Sequence, residues 1–280
     1  VNTTEEWWDI NGTSLNQHGW NIVTVGGARY DLPTRRGDNM VFAYRPGSVH
    51  RAKLPDARTI TLVMWVAGVE PSSGTNYDNA ILRWNDNWDF LRRSVWRADG
   101  SQLDLTRRWN LTVSGTPTLV TATAKAEIAD AMEPTMTGRT RADFAMTFLL
   151  ADPYFYGTTV TETCVLSTPK SVVNPGHDFA MHNNVTVTLT GPLTNPRLTN
   201  TTATPDVWVQ YTGSIPTGDT VVLTVGTFVA VTNHGVNVIN NISHSGARFW
   251  MGLLPGTNSL TLTATAGTGS ATVAFQPPYV

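Results

Sequence analysis

The chain has 280 residues, enough for two domains that each bury a core, and a formal net charge of -2, without the basic excess that gripping nucleic-acid phosphates requires. Its single cysteine, Cys164, excludes a disulfide framework and a cysteine-rich metal site, and reads as a small buried side chain. The opening residues have neither the basic nor the apolar region of a signal peptide, and no later window approaches a membrane-spanning run. Signal-directed export and membrane insertion are therefore not expected.

Residues 6–25 read as a hairpin around Asn11-Gly12, a dipeptide that accepts the positive φ angles of a tight turn, followed by a third strand over 19–25. Residues 26–39 read as a loop that opens on a Gly26-Gly27 turn. A second hairpin over 40–53 turns at Pro46-Gly47 and carries Arg45 and Arg51. The apolar, branched run 58–68 suits a central strand. One long helix is predicted over 76–97, where Ile81, Trp84, Trp88, Leu91 and Val95 step by three and four. Asp78 or Thr75 is placed to cap it, Arg92, Arg93 and Arg97 suit its carbonyl end, and Asp99-Gly100 stops it. Its two tryptophans read as core filling, which puts the helix on a sheet.

Strand 103–113 follows. Over 119–128 the pattern alternates, with Val120, Ala122, Ala124, Ala126 and Ile128 on one side and Leu119, Thr121, Thr123, Lys125 and Glu127 on the other. Residues 142–150 are expected to return along that strand, and 152–157 to close the segment with an aromatic clasp. Beyond about Gly157 tryptophan and charge thin out and threonine takes over, which places a boundary there, giving domains 1–158 and 159–280. The second shows short strands over 185–189, 207–211, 220–225, 228–231, 259–265 and 271–275 between Gly, Pro and Asn turns, the pattern of an all-β sandwich.

No constellation carries chemistry. His177 and His182 have neither helical spacing nor a third ligand, so a turn is the better reading than a metal site. His234, His244, Ser245 and Asp219 lack a nucleophile elbow or any local catalytic signature. Asp86 and Asp89 read as solvated helix charges, and Arg36-Gly37-Asp38 as a turn in an arginine-rich loop. The expectation is a protein that is not an enzyme and uses no cofactor or metal.

Three stretches of the first domain carry a family likeness: GW, LPTRRGDN, YRPG and DARTITLVMWVAG between Trp20 and Gly68; the helix with WRADGSQLDLTRR; and ADFAMTFLLADPYFYG. In the second domain NPRLTN, TGDTVVLTVGTF and LLPGTNSLTLTATAGTGSATVAF add to it. In this order and spacing the chain resembles the distal tail proteins, or Dit-like minor tail proteins, of bacteriophages with long non-contractile tails, especially phages of actinobacteria. The resemblance implies a mainly β chain: an N-terminal tail-tube-like β-sandwich or split barrel with one long helix, then a C-terminal galectin-like β-sandwich.

It also implies a structural virion protein, assembled in the host cytoplasm, that forms a ring of six copies at the distal end of the tail tube. The ring joins the tube protein to the tip or hub protein, and to the tape-measure protein, while DNA passes through its lumen. Arg45 and Arg51 are the expected ring contacts, reaching acidic groups on a neighbour or remaining solvated. The alternative from another class is a carbohydrate-binding module that contacts the host surface through Trp208 and Trp250 of the sandwich domain, although both also read as core residues.

Overall fold

The computed structural model describes residues 6–27, 35–36, 40–41, 48–49, 54–76, 78–96, 101–113, 116–130, 132–177, 185–245 and 250–280. The chain is mainly β with one α-helix, and it divides into two compact units, residues 1–155 with Val280 and residues 156–279.

In the first unit β1 (Glu6–Ile10) and β2 (Thr13–Ser14) form the expected hairpin, with φ of 48° at Asn11 and 80° at Gly12. β3 (Trp20–Gly27) follows, then four two-residue strands that pair as β4 (Arg35–Arg36) with β7 (Leu54–Pro55) and β5 (Met40–Val41) with β6 (Ser48–Val49). Next come β8 (Arg58–Ala67), α1 (Ala80–Val95), β9 (Leu103–Val113), β10 (Thr116–Ile128), β11 (Thr135–Gly138), β12 (Arg141–Leu150) and β13 (Phe155–Gly157). The main path of the sheet runs β2-β1-β9-β10-β12-β8-β3.

Strict alternation fixes the buried face of β8 and β12, which pair with each other inside the sheet. Ile60, Leu62, Met64 and Val66 are buried opposite Ala142, Phe144, Met146 and Phe148, while the residues between them stay half-buried or exposed. On β10 the expected alternation holds in its middle, with Ala122, Ala124 and Ala126 buried and Leu119, Thr121, Lys125 and Glu127 exposed. Two sequence expectations fail here. Gly26-Gly27 is not a turn but the paired end of β3, opposite Thr61 and Ile60. Strand β12 does not return along β10: it pairs with β8 over its whole length and touches β10 at two residue pairs, because β11 intervenes and forms its own hairpin with β12.

The helix is shorter than predicted. Asn79, not Asp78 or Thr75, caps it by accepting a hydrogen bond from the Leu82 amide, and its last turn closes at Trp96, whose N–H donates to the Arg92 carbonyl; Arg97 and Asp99-Gly100 lie outside the described residues. Trp88, Leu91 and Val95 are buried, and Leu91 and Val95 contribute roughly 1.5–3 kcal/mol each when fully buried. Trp84 is half-buried, whereas Ile81 is 54% exposed. Trp88 meets Phe144 edge-on at 5.0 Å, and Trp20 stacks on Phe90 at 5.4 Å. The helix also makes a polar anchor: buried Asn87 donates both amide hydrogens, to the Ala67 carbonyl at 2.7 Å and the Val69 carbonyl at 2.9 Å.

The second unit contains β14 (Val160–Val165), β15 (Lys170–Asn174), β16 (Val185–Thr190), β17 (Leu193–Thr194), β18 (Arg197–Asn200), β19 (Val207–Tyr211) and β20 (Ser214–Ile215). It continues with β21 (Thr220–Thr224), β22 (Val229–Thr232), β23 (Ile242–His244), β24 (Gly256–Thr263), β25 (Ala266–Gly267), β26 (Ser270–Phe275) and β27 (Pro278–Tyr279). Two five-stranded sheets, β14-β26-β16-β21-β22 and β15-β24-β18-β19-β23, enclose one apolar core that holds Cys164, Val187, Leu223, Trp250, Leu262 and Val273. Strands β14, β15, β18 and β23 were not read from sequence. Three asparagines organise one end. Buried Asn258 accepts from the Leu254 amide and donates to the Leu254 and Gly256 carbonyls, and buried Asn200 donates to Asn258 Oδ1 at 2.9 Å and to the Gly252 carbonyl. Asn174 donates to the Leu253 carbonyl, so the segment ahead of β24 is held from three strands.

Candidate assembly surface

The most distinctive surface feature of the first unit is a two-stranded ribbon. β10 pairs with β9 from Thr116↔Val113 to Ala126↔Leu103, and among the described residues β1 meets the other side of β9 from Leu105 to Trp109. Beyond Trp109 the two strands stay paired, with Asn110 facing Leu119 and Leu111 facing Thr118. Pro117, Thr118 and Leu119 are exposed, Leu119 to 55%. The sequence from Trp109 to Leu119 contains no charged residue. A two-stranded ribbon is marginal by itself and presents unpaired amides and carbonyls, so it is suited to strand pairing with another chain.

The root of the ribbon is rigid and neutralised in pairs. Thr106 and Thr123 hydroxyls meet at 2.9 Å, Lys125 pairs with Asp104 at 2.5 Å, and Arg108 pairs with the buried Asp9. Arg107, buried on the opposite face, donates from Nε to Glu6 Oε1 at 2.6 Å and stacks over Trp109 at 4.6 Å. Near the same root a cleft of about 920 Å³ opens between the end of α1 and the ends of β9 and β10, lined by Arg92, Trp96, Leu103, Glu127, Ile128 and Met132. Trp96 is 75% exposed there.

Arg45 and Arg51, the expected ring contacts, lie outside the described residues. Of the two tryptophans considered for sugar stacking, Trp250 is 4% exposed and packs edge-on against Phe228 at 5.4 Å, inside the core of the second unit. Trp208 is half-buried and carries the Arg197 guanidinium over its ring at 4.0 Å. The histidines and acids tested for chemistry separate in the same way. His234 Nε2 and Asp219 form an exposed pair at 3.1 Å, Ser245 accepts from the Trp208 amide, and His244 lies on edge strand β23. His177 packs edge-on against Tyr279, and His182 lies outside the described residues. Asp89 is ion-paired to Arg93 at 3.0 Å on the exposed face of α1. Among the described residues no group of three or more His, Cys, Asp or Glu could hold a metal ion, and no helix is long and apolar enough to cross a membrane. The ribbon itself was missed in the sequence, because only the pairing register shows that, among the described residues, β9 and β10 outrun β1.

This architecture defines a class. Over 98% of the chain and 99% of the other, the fold matches the crystal structure of the Dit protein (gp 19.1) of SPP1, with a TM-score of 0.65 at 16% identity. That protein is described as a paradigm of the hub adsorption apparatus in phages infecting Gram-positive bacteria. Chains of the phage p2 baseplate in its activated conformation align over 96% of the chain, at a TM-score of 0.40 and 8% identity. Residues 178–279 match the family described as siphovirus-type tail component, C-terminal domain. No curated protein sequence matches the chain. Residues 178–279 thus match a siphovirus-type tail component C-terminal domain, and the chain as a whole has the fold of the SPP1 Dit protein.

Proposed function

We propose that copies of this chain close into a ring, six in number as the family likeness implies, at the distal end of the tail tube. Residues 1–158 form the ring and residues 159–280 a galectin-like sandwich. The observation that carries this reading is the ribbon of β9 and β10, which among the described residues outruns β1 and carries no charge. The ring joins the tube protein to the tip or hub protein and to the tape-measure protein, and leaves a channel through which DNA passes. A net charge of -2 supports a lumen that does not hold the phosphate backbone.

The test is the mass of the purified chain by light scattering, with negative-stain images of the main peak, for the wild type and for a variant in which a two-residue Asn-Gly turn replaces residues 111–118. The wild type is expected as a closed ring and the trimmed chain as a folded monomer; a ring from the trimmed chain removes the ribbon from the interface. Arg45→Glu with Arg51→Glu tests the 40–53 hairpin in the same assay, and an intact ring at ordinary salt rules it out.

The carbohydrate reading has less support. Trp250 is buried, and Arg197 covers one face of Trp208, so neither presents an open aromatic platform on both sides.

A further inference from the structure

One side chain in the first unit ties a turn to two other elements. Asn11 stands between β1 and β2 in the left-handed region, with φ of 48°, and is followed by Gly12 at 80°. Its Oδ1 accepts the Asp104 N–H at 3.0 Å, at the start of β9, and its Nδ2 donates to the Ser94 carbonyl at 3.3 Å, in the last turn of α1. The Asn11 backbone N–H donates in turn to the Asp104 carbonyl at 2.9 Å. Both turn residues are nevertheless exposed, and a Cβ built on Gly12 would meet nothing within 4 Å.

The Asn-Gly dipeptide occurs once in the chain, and it is a reactive one. With no Cβ beside it, the Gly12 nitrogen is unhindered and can close on Asn11 Cγ. A C–N bond forms to Cγ, the Cγ–Nδ2 bond breaks, and the side-chain nitrogen leaves as ammonia with the Gly12 proton. Water, the only other reactant, then opens the five-membered imide at either carbonyl and leaves aspartate or isoaspartate in place of Asn11.

Ring closure needs the carboxamide to turn its carbon towards the Gly12 nitrogen, and a carboxamide held at both its oxygen and its nitrogen is not free to turn. Opening both hydrogen bonds first slows the reaction about 5- to 150-fold. The product does not restore the clamp. A carboxylate still accepts from the Asp104 amide but has no hydrogen for the Ser94 carbonyl, and it sets negative charge at the carbonyl end of α1. Isoaspartate also lengthens the main chain of the turn by one carbon, against the Ile10↔Thr13 pairing.

We propose that Asn11 is a deamidation site gated by the fold: closed while β9 and α1 hold its carboxamide, open when they let go, and on reaction releasing the end of α1 from the hairpin. The site does not depend on the ring reading.

The experiment incubates the full-length chain at pH 8, folded and in guanidinium, and follows Asn11 by peptide mapping with mass spectrometry, which reports the exchange of amide nitrogen for oxygen. The unfolded wild type is expected to react, and the folded wild type about 5- to 150-fold more slowly. Asp104→Pro removes the N–H that Asn11 Oδ1 accepts, so this variant, folded, is expected to react several-fold faster than the folded wild type. Should it not fold, the folded-to-unfolded ratio of the wild type decides alone. Gly12→Ala sets a Cβ beside the attacking nitrogen and should slow the unfolded reaction. Asn11→Asp, the direct product, should lower the Tm of the first unit by about 2–4 °C through the lost Ser94 bond. A folded wild type that reacts as fast as the unfolded chain, a folded Asp104→Pro chain as slow as the wild type, a Gly12→Ala chain that reacts at the unfolded wild-type rate, or an Asn11→Asp chain with an unchanged Tm overturns the proposal.

Discussion

Replacing Asn87 with leucine tests how the helix is held to the sheet. The side chain is 2% exposed on α1, and its two amide hydrogens reach the Ala67 and Val69 carbonyls at 2.7 and 2.9 Å, where β8 ends. Leucine has nearly the same shape and removes both bonds. Each bond contributes about 1 kcal/mol net, and a buried carbonyl left without a donor costs about 1–3 kcal/mol, partly offset by leucine's added apolar burial; the sum is a loss of about 2–4 kcal/mol. For a unit of this size, that lowers Tm by roughly 4–16 °C. Calorimetry of the full chain measures it, and the transition of the second unit, which shares none of these bonds, serves as the internal control. Asn87→Asp should be worse still, because a carboxylate at that position would aim lone pairs at two carbonyls. A leucine variant within about 0.5 kcal/mol of the wild type would refute the reasoning and assign the docking of α1 to Trp88, Leu91 and Val95 alone.

Two glycines separate crowding from conformation. A Cβ on Gly68 would sit 2.0 Å from the Ala80 carbonyl oxygen at the start of α1, so Gly68→Ala is expected to cost more than about 3 kcal/mol in thermal melts, whereas Gly12→Ala, with φ of 80° and open space around it, should cost about 1 kcal/mol. Burial raises the Cys164 thiol from 9.0 to about 11. The folded chain therefore keeps this proton at pH values where the unfolded chain releases it, and the contribution to stability falls as pH rises from about 9 towards 11. Denaturant titrations across that range should show the decline for the wild type and a flatter profile for Cys164→Val. Thiol reagents at pH 8 should label Cys164 only as the second unit unfolds.

What could be read in the sequence was whatever depends on local periodicity. The alternation around Ala122, Ala124 and Ala126 gives a half-buried strand, and the spacing of Trp88, Leu91 and Val95 gives a helix on a sheet. The pairing partners were hidden, because a strand's pattern says which face is buried and not which neighbour it joins; β12 thus looked like the return of β10 and is instead the partner of β8. Ile81 fits the apolar stripe equally well and is exposed, since periodicity does not say which members of a stripe are covered. Likewise, Asn79 won the capping position over Asp78 and Thr75, which sequence alone ranks much the same. The stretch Pro255-Gly256-Thr257-Asn258 was noticed as part of a family likeness, and its physical reason is the buried Asn258 amide that closes the turn on itself. Of the assembly surface, the strands of the ribbon were legible and their overhang was not. Arg58 was visible as the residue opening an apolar strand, but its burial against the Phe155 ring is a fact of three dimensions.

The pairing of β1 with β9 also sets a timetable. Glu6 faces Trp109 and Ile10 faces Leu105, so β1, once made, must wait until about 100 further residues have been added before this neighbour exists. At bacterial elongation rates of about 5–20 residues per second the delay is roughly 5–20 s, long compared with hairpin formation in microseconds. Throughout it, Trp7, Trp8 and Ile10 are carried on a nascent hairpin with no sheet to cover them. Crowded synthesis of many copies therefore exposes the same apolar edge on every ribosome at once, and the earliest hazard for this chain is one nascent hairpin meeting another before either has a β9 to join.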